Sequence, residues 1–123
     1  MRTIHSEFAP QPIGPYSQGI EVDGFIFLSG QVGLNPKTGE LLNGLVEQTD
    51  QVMENISSLL KSASLSFSHI VKSTVYLKDI KDFSEFNKTY TKYFKENPPA
   101  RTTIEVSALP RNALVEIDII AHK

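Results

Sequence analysis

The side chains with chemical potential in this chain are few: Arg101, Glu116 and Tyr16, joined by the hydroxyl or amide groups of Ser29, Asn87 and Thr103. An arginine's planar fork matches a carboxylate through two parallel hydrogen bonds, a geometry that a lysine's point charge lacks. A glutamate set among apolar strand residues asks for a reason, since an unpaired charge there is costly. The chain contains no cysteine, which removes disulfides, thiolate nucleophiles and Cys-rich zinc sites. His5, His69 and His122 are dispersed without ligand spacing, so no metal site is expected. Gly14, Gly19, Gly24, Gly30, Gly33 and Gly39 match neither phosphate-loop fingerprint and read as turns and strand ends.

Spacing alone also admits plainer roles. Arg101, at the start of a strand, reads as a solvated or structural ion-pair residue with Glu116 as its partner. Tyr16 reads as an interface aromatic, and Ser29 and Asn87 as local hydrogen-bonding residues.

The elements that must position these groups fit one domain spanning residues 1–123, large enough to bury roughly two thirds of its extended-chain surface. The formal net charge is −2, with Lys and Arg scattered, which gives no electrostatic footprint for a nucleic acid. The N-terminal stretch lacks the apolar core of a signal peptide, and no apolar run approaches the length of a membrane span, so a cytoplasmic protein without a membrane partner is expected.

Pro10, Pro12 and Pro15 make the segment from Ala9 to Tyr16 an irregular but stiff loop that can hold Tyr16 in place. Gly19 to Val22 and Phe25 to Ser29 flank Asp23-Gly24, a strong hairpin signal. After a turn-like Asn35 to Gly39, the residues Val52, Met53, Ile56, Leu59, Leu60 and Ala63 fall at helical spacing. Ile70 to Leu77 is rich in β-branched residues and reads as a strand. Asp82 and Glu85 resemble a capping box for a second helix carrying Phe83, Phe86, Tyr90 and Phe94, ended by Asn97-Pro98-Pro99. Arg101 to Val106 and Leu114 to Ala121 alternate as strands.

The order β-β-α-β-α-β-β predicts an α+β domain with two helices on one face of a mixed sheet. The first hairpin's second strand has Phe25 and Phe27 on one side and Ile26 and Leu28 on the other, so both faces need cover. Two helices cover only one face, and burial of the other in a homo-oligomer is expected. Alternation groups Arg101, Thr103 and Glu105 on one side of their strand, and Glu116 and Asp118 opposite the apolar face of theirs. With the apolar faces beneath the helices, Arg101 and Glu116 are both expected on the open face, in a cleft between subunits.

The segments Ile13-Gly14-Pro15-Tyr16-Ser17-Gln18-Gly19, Leu28-Ser29-Gly30-Gln31 and Asn35-Pro36-Lys37-Thr38-Gly39 resemble successive signatures of the Rid (YjgF) family. Val71 to Leu77, Phe86-Asn87-Lys88-Thr89-Tyr90, Pro99-Ala100-Arg101-Thr102 and Val115-Glu116-Ile117 resemble its remaining motifs in order, so the likeness covers essentially the whole chain.

The resemblance implies a chorismate-mutase-like fold assembled as a homotrimer with clefts between subunits. It implies a deaminase that hydrolyses 2-imino and enamine acids, such as 2-aminoacrylate, 2-iminopropanoate and 2-iminobutanoate, to 2-keto acids and ammonia without a cofactor. It assigns Arg101 to the substrate carboxylate and Glu116 to the water, with Tyr16, Ser29, Gly30 and Asn87 lining the cleft. Many deaminating members carry a cysteine where this chain has Thr103. The family uses that position largely through backbone groups, so activity with altered substrate preference is expected. The alternatives are a non-catalytic module that senses a 2-keto acid in the same cleft and, disfavoured by the charge balance, an RNA-directed translation inhibitor or ribonuclease.

Overall fold

The computed structural model describes all 123 residues. Strands β1 (Arg2–Ile4), β2 (Gly19–Val22), β3 (Phe25–Val32), β4 (Ile70–Leu77), β5 (Ala100–Glu105) and β6 (Val115–His122) form one sheet in the order β1-β2-β3-β6-β4-β5. Only β4 and β5 pair in parallel; every other neighbouring pair is antiparallel. Helices α1 (Leu45–Ser62) and α2 (Phe83–Tyr90) lie on one face of this mixed sheet, as the order of elements predicts. Val52, Met53, Ile56, Leu59 and Leu60 of α1 and Phe86 of α2 bury against Ile26, Leu28, Val75, Leu77, Val115, Ile117 and Ile119.

The hairpin turns on Asp23 and Gly24, whose φ angles of 52° and 81° are those of a tight two-residue connection. Two elements exceed the sequence reading. β1 is too short for alternation to reveal, and it is held to β2 by backbone pairing and by Arg2, whose guanidinium sits 2.6 Å from Glu21. α1 begins at Leu45, two turns before its apolar stripe, because those turns bury polar side chains. Gln48 donates to the Leu42 carbonyl and accepts from the Leu114 amide, and Asn55 donates to the Leu34 carbonyl.

The capping box expected at Asp82 and Glu85 is not formed. Asp82 is itself helical and makes no capping hydrogen bond; instead Asp79 caps a preceding 3₁₀ turn, Ile80–Asp82, by accepting from the Lys81 amide. The α-helix also stops at Tyr90 and tightens into a 3₁₀ turn, Thr91–Tyr93, so Phe94 lies beyond it.

The open face carries Ile20, Val22, Phe25, Phe27 and Ile120 at one end and Glu116, Asp118, Tyr76, Thr74 and Lys72 toward the middle. Phe25 and Phe27 are 41% and 42% exposed, an unusual state for neighbouring phenylalanines on a strand. No helix of the chain is long and apolar enough to cross a membrane.

Candidate active site

Arg101 departs from the placement expected for it. The parallel register sets it beside Ser73, and Thr103 beside Val75, so both point to the helix side of the sheet rather than to the open face. The expectation equated polar strand positions with the uncovered side. β5 is an edge strand, and what covers it is the aromatic side of α2, which takes a guanidinium as readily as an aliphatic chain. The Arg101 Cζ lies 4.9 Å from the Tyr90 ring centroid, 5.6 Å from that of Phe83 and 5.7 Å from that of Phe86. No carboxylate pairs with Arg101: the ion pairs of the chain are Arg2 and Lys123 with Glu21, and Lys92 with Asp50. The plain reading of Arg101 as the structural partner of Glu116 therefore fails.

Arg101 and Asn87 line one pocket of about 540 Å³, walled by Tyr90, Phe94, Pro98 and Pro99. Two buried side-chain atoms lack a hydrogen-bond partner, Asn87 Oδ1 and Thr103 Oγ1. Both belong to residues that the sequence singled out, and buried polar atoms are rarely left unpaired without a reason. Beneath the guanidinium, the Tyr90 and Ser73 hydroxyls are 2.7 Å apart. Burial raises the Tyr90 pKa, against the opposing influence of the Ser73 hydrogen bond and the Arg101 charge.

Glu116, Tyr16 and Gly30 line a second pocket, of about 380 Å³, with Arg111 at its rim. Glu116 projects from the other side of the sheet, facing Tyr76 across the β6–β4 ladder. The register of β3 against β6 slips by one residue between Leu28 and Gln31. This bulge carries β3 past Ser29, where the sequence signal ends, and presses Gly30 against Glu116. Ser29 anchors the bulge by donating to the Ser17 carbonyl at 2.6 Å. Gln18 fixes the proline loop by accepting from the Ser6 amide and donating to the Ser6 and Pro10 carbonyls. Tyr16 thus stands on a tied loop, with its hydroxyl accepting from the Ile13 amide at 3.4 Å.

Glu116 is half-buried, and its pKa is raised first by burial and then by the neighbouring Asp118 charge. Tyr76 donates to Asp118 at 2.9 Å and so holds that second carboxylate in place. A carboxyl raised in this way is a stronger base than a solvated one.

A Cβ added at Gly30 would lie 2.9 Å from the Glu116 Cδ. The obstacle is the end of a flexible side chain, so Gly30→Ala is expected to fold normally while displacing the carboxylate. If Glu116 acts as the base the resemblance implies, displacing it should lower turnover by about tenfold or more. The check is kcat beside the thermal midpoint, and unchanged kcat in a folded variant would count against Glu116 acting from this position.

The chain thus groups the candidate residues into two half-sites on opposite faces of the sheet: Arg101, Asn87 and Thr103 on one, and Tyr16, Gly30 and Glu116 on the other, with Ser29 behind the second. From the sequence, Phe83, Phe86 and Tyr90 mark only the spacing of a second helix, and their role as a cradle is not apparent. Its signal was an aromatic helix face preceding a strand-start arginine across a β-α-β crossover.

This architecture defines a class of small α+β proteins with known members. TdcF of E. coli, solved with bound serine, matches with a TM-score of 0.96 at 33% identity, covering 100% of this chain and 99% of that one. The chain belongs to the Rid (YjgF) family, whose model, described as endoribonuclease L-PSP, matches residues 6–123. A RutC family protein of Aquifex aeolicus is 50% identical over 125 residues, covering 100% of each chain. The human 2-iminobutanoate/2-iminopropanoate deaminase is 44% identical over 121 residues, covering 98% of this chain and 88% of the human one.

Proposed function

We propose that this protein is a deaminase of small 2-imino and enamine acids, working without a cofactor in clefts between the subunits of a cytoplasmic homotrimer. The observation that carries the reading is Arg101: a cation held by three rings, without an acidic partner, beside two unpartnered buried polar atoms. Such a group is arranged to receive an anion from outside the chain, and its planar fork suits a carboxylate. Similarity to the human deaminase favours an imino acid, and serine bound to TdcF carries the same α-carboxylate. The exposed Phe25 and Phe27 favour burial of the open face against further copies.

Arg101 holds the carboxylate, and Asn87 and Thr103 hydrogen-bond the adjoining polar atoms. Glu116 of an adjacent subunit, raised in pKa, takes a proton from water as the water oxygen attacks the imine carbon, and passes that proton to the imine nitrogen. The carbinolamine then collapses: Glu116 carries the hydroxyl proton to the nitrogen, the C–N bond breaks as the carbonyl forms, ammonia leaves, and the 2-keto acid remains. Free imines hydrolyse unaided, so positioning and one acid–base group suffice.

The test generates 2-iminopropanoate or 2-iminobutanoate with an amino-acid oxidase in the presence of semicarbazide, with and without the protein. Suppressed semicarbazone formation is expected. Binding of 2-oxobutanoate without any suppression, from an assembled oligomer, would replace the enzyme with a metabolite-sensing module. RNA cleavage that co-purifies with the oligomer and vanishes in Glu116→Gln would favour the ribonuclease activity that the family description names.

A further inference from the structure

We infer that Phe83 is a positioning residue for Arg101: with Phe86 and Tyr90 it clamps the faces of the guanidinium, so that the in-plane N–H donors meet the ligand carboxylate as a preset fork. The inference deepens the reading of Arg101 as the carboxylate receptor and rests on it.

Arg101 has no ion pair to fix its side chain. A free arginine loses rotamer freedom on binding a ligand, whereas a guanidinium already held by its faces has less to lose and keeps its edges available. The rings are mounted for such a task. Phe86 is fully buried in the core, and Tyr90 is buried with its hydroxyl tied to Ser73, the strand neighbour of Arg101. Both therefore have structural reasons to be where they are.

Phe83 does not. It sits in the first turn of α2, is 39% exposed and lies outside the cluster of core side chains. Burial fails to explain an aromatic residue there, and its ring covers the guanidinium at 5.6 Å. Cation–π stacking strengthens as the cation is desolvated, so a ring on the solvent side contributes by shielding as well as by contact.

The experiment compares the full-length wild type, Phe83→Leu and Phe83→Tyr. It uses titration calorimetry with 2-oxobutanoate, steady-state hydrolysis of 2-iminobutanoate, and the arginine Nε–H region of the ¹⁵N spectrum. Phe83→Leu is expected to weaken binding and raise KM by about threefold to tenfold with little change in kcat. Its Arg101 Nε–H resonance should lose dispersion and broaden, and Phe83→Tyr should restore both properties. An Arg101 resonance and an affinity unchanged in Phe83→Leu would overturn the inference. A wild type that neither binds 2-oxobutanoate nor hydrolyses the imine would overturn the carboxylate reading beneath it. The ligand-free Arg101 resonance separates that failure from failure of the clamp.

Discussion

Arg101→Ala is expected to abolish binding of 2-oxo acids and to lower kcat/KM for imine hydrolysis by about 10²–10⁴-fold, in a protein that still folds. The magnitude is that of two charge-assisted hydrogen bonds at about 1.5–3 kcal/mol each. The fold should survive because Arg101 has no carboxylate partner, so its removal strands no opposite charge. What is lost internally is contact with Phe83, Phe86 and Tyr90, worth about 1 kcal/mol.

Arg101→Lys sharpens the test. It preserves the charge but offers neither the fork that grips a carboxylate nor the flat face that lies between rings. It should therefore recover little of the lost kcat/KM. The measurements are calorimetric affinity for 2-oxobutanoate, the semicarbazide assay and thermal unfolding of both variants. Near wild-type activity in Arg101→Lys would mean that a point charge suffices and that the fork geometry has no part in recognition.

The face on which Arg101 sits shows where sequence reasoning reached its limit. Alternation correctly grouped Arg101 with Thr103, and Glu116 with Asp118. Deciding which group lies under the helices required an assumption that apolar means covered. That assumption holds for β6, where Val115, Ile117 and Ile119 are buried, and fails for β5, an edge strand covered by aromatic rings. The Asp23-Gly24 hairpin and the strand from Ile70 to Leu77 were legible because local chemistry determines them. The first turns of α1 were not, since Gln48 and Thr49 are buried through hydrogen bonds that hydrophobic periodicity cannot register. The bulge at Ser29 and Gly30 was equally silent: it depends on register against β6, a strand some ninety residues further along the chain. Yet that bulge brings Gly30 to Glu116, so the part of the site hardest to read is made by long-range pairing.

Glu116→Gln should separate the enzyme from a sensor. The substitution keeps shape and removes the base, so kcat should fall by about 10²–10⁴-fold while affinity for 2-oxobutanoate changes little. Burial, and after it the Asp118 charge, raises the Glu116 pKa. A base acts only when ionised, so the wild-type rate should climb with pH through a midpoint raised above that of an ordinary glutamate. Asp118→Asn removes the like charge while Tyr76 keeps a hydrogen-bond acceptor, so Glu116 should ionise more easily and the rising limb should move to lower pH. A limb that stays in place would leave Glu116 without a titrating role. Because Glu116 and Arg101 project from opposite faces of the sheet, the two inactive variants should also complement each other. Arg101→Ala and Glu116→Gln chains refolded together at equal amounts should regain about a quarter of wild-type activity. In the proposed trimer, that is the fraction of clefts receiving an intact Arg101 from one chain and an intact Glu116 from its neighbour under random mixing. No recovery from fully exchanged subunits would require both groups of each working site to come from one chain, which the sheet geometry opposes.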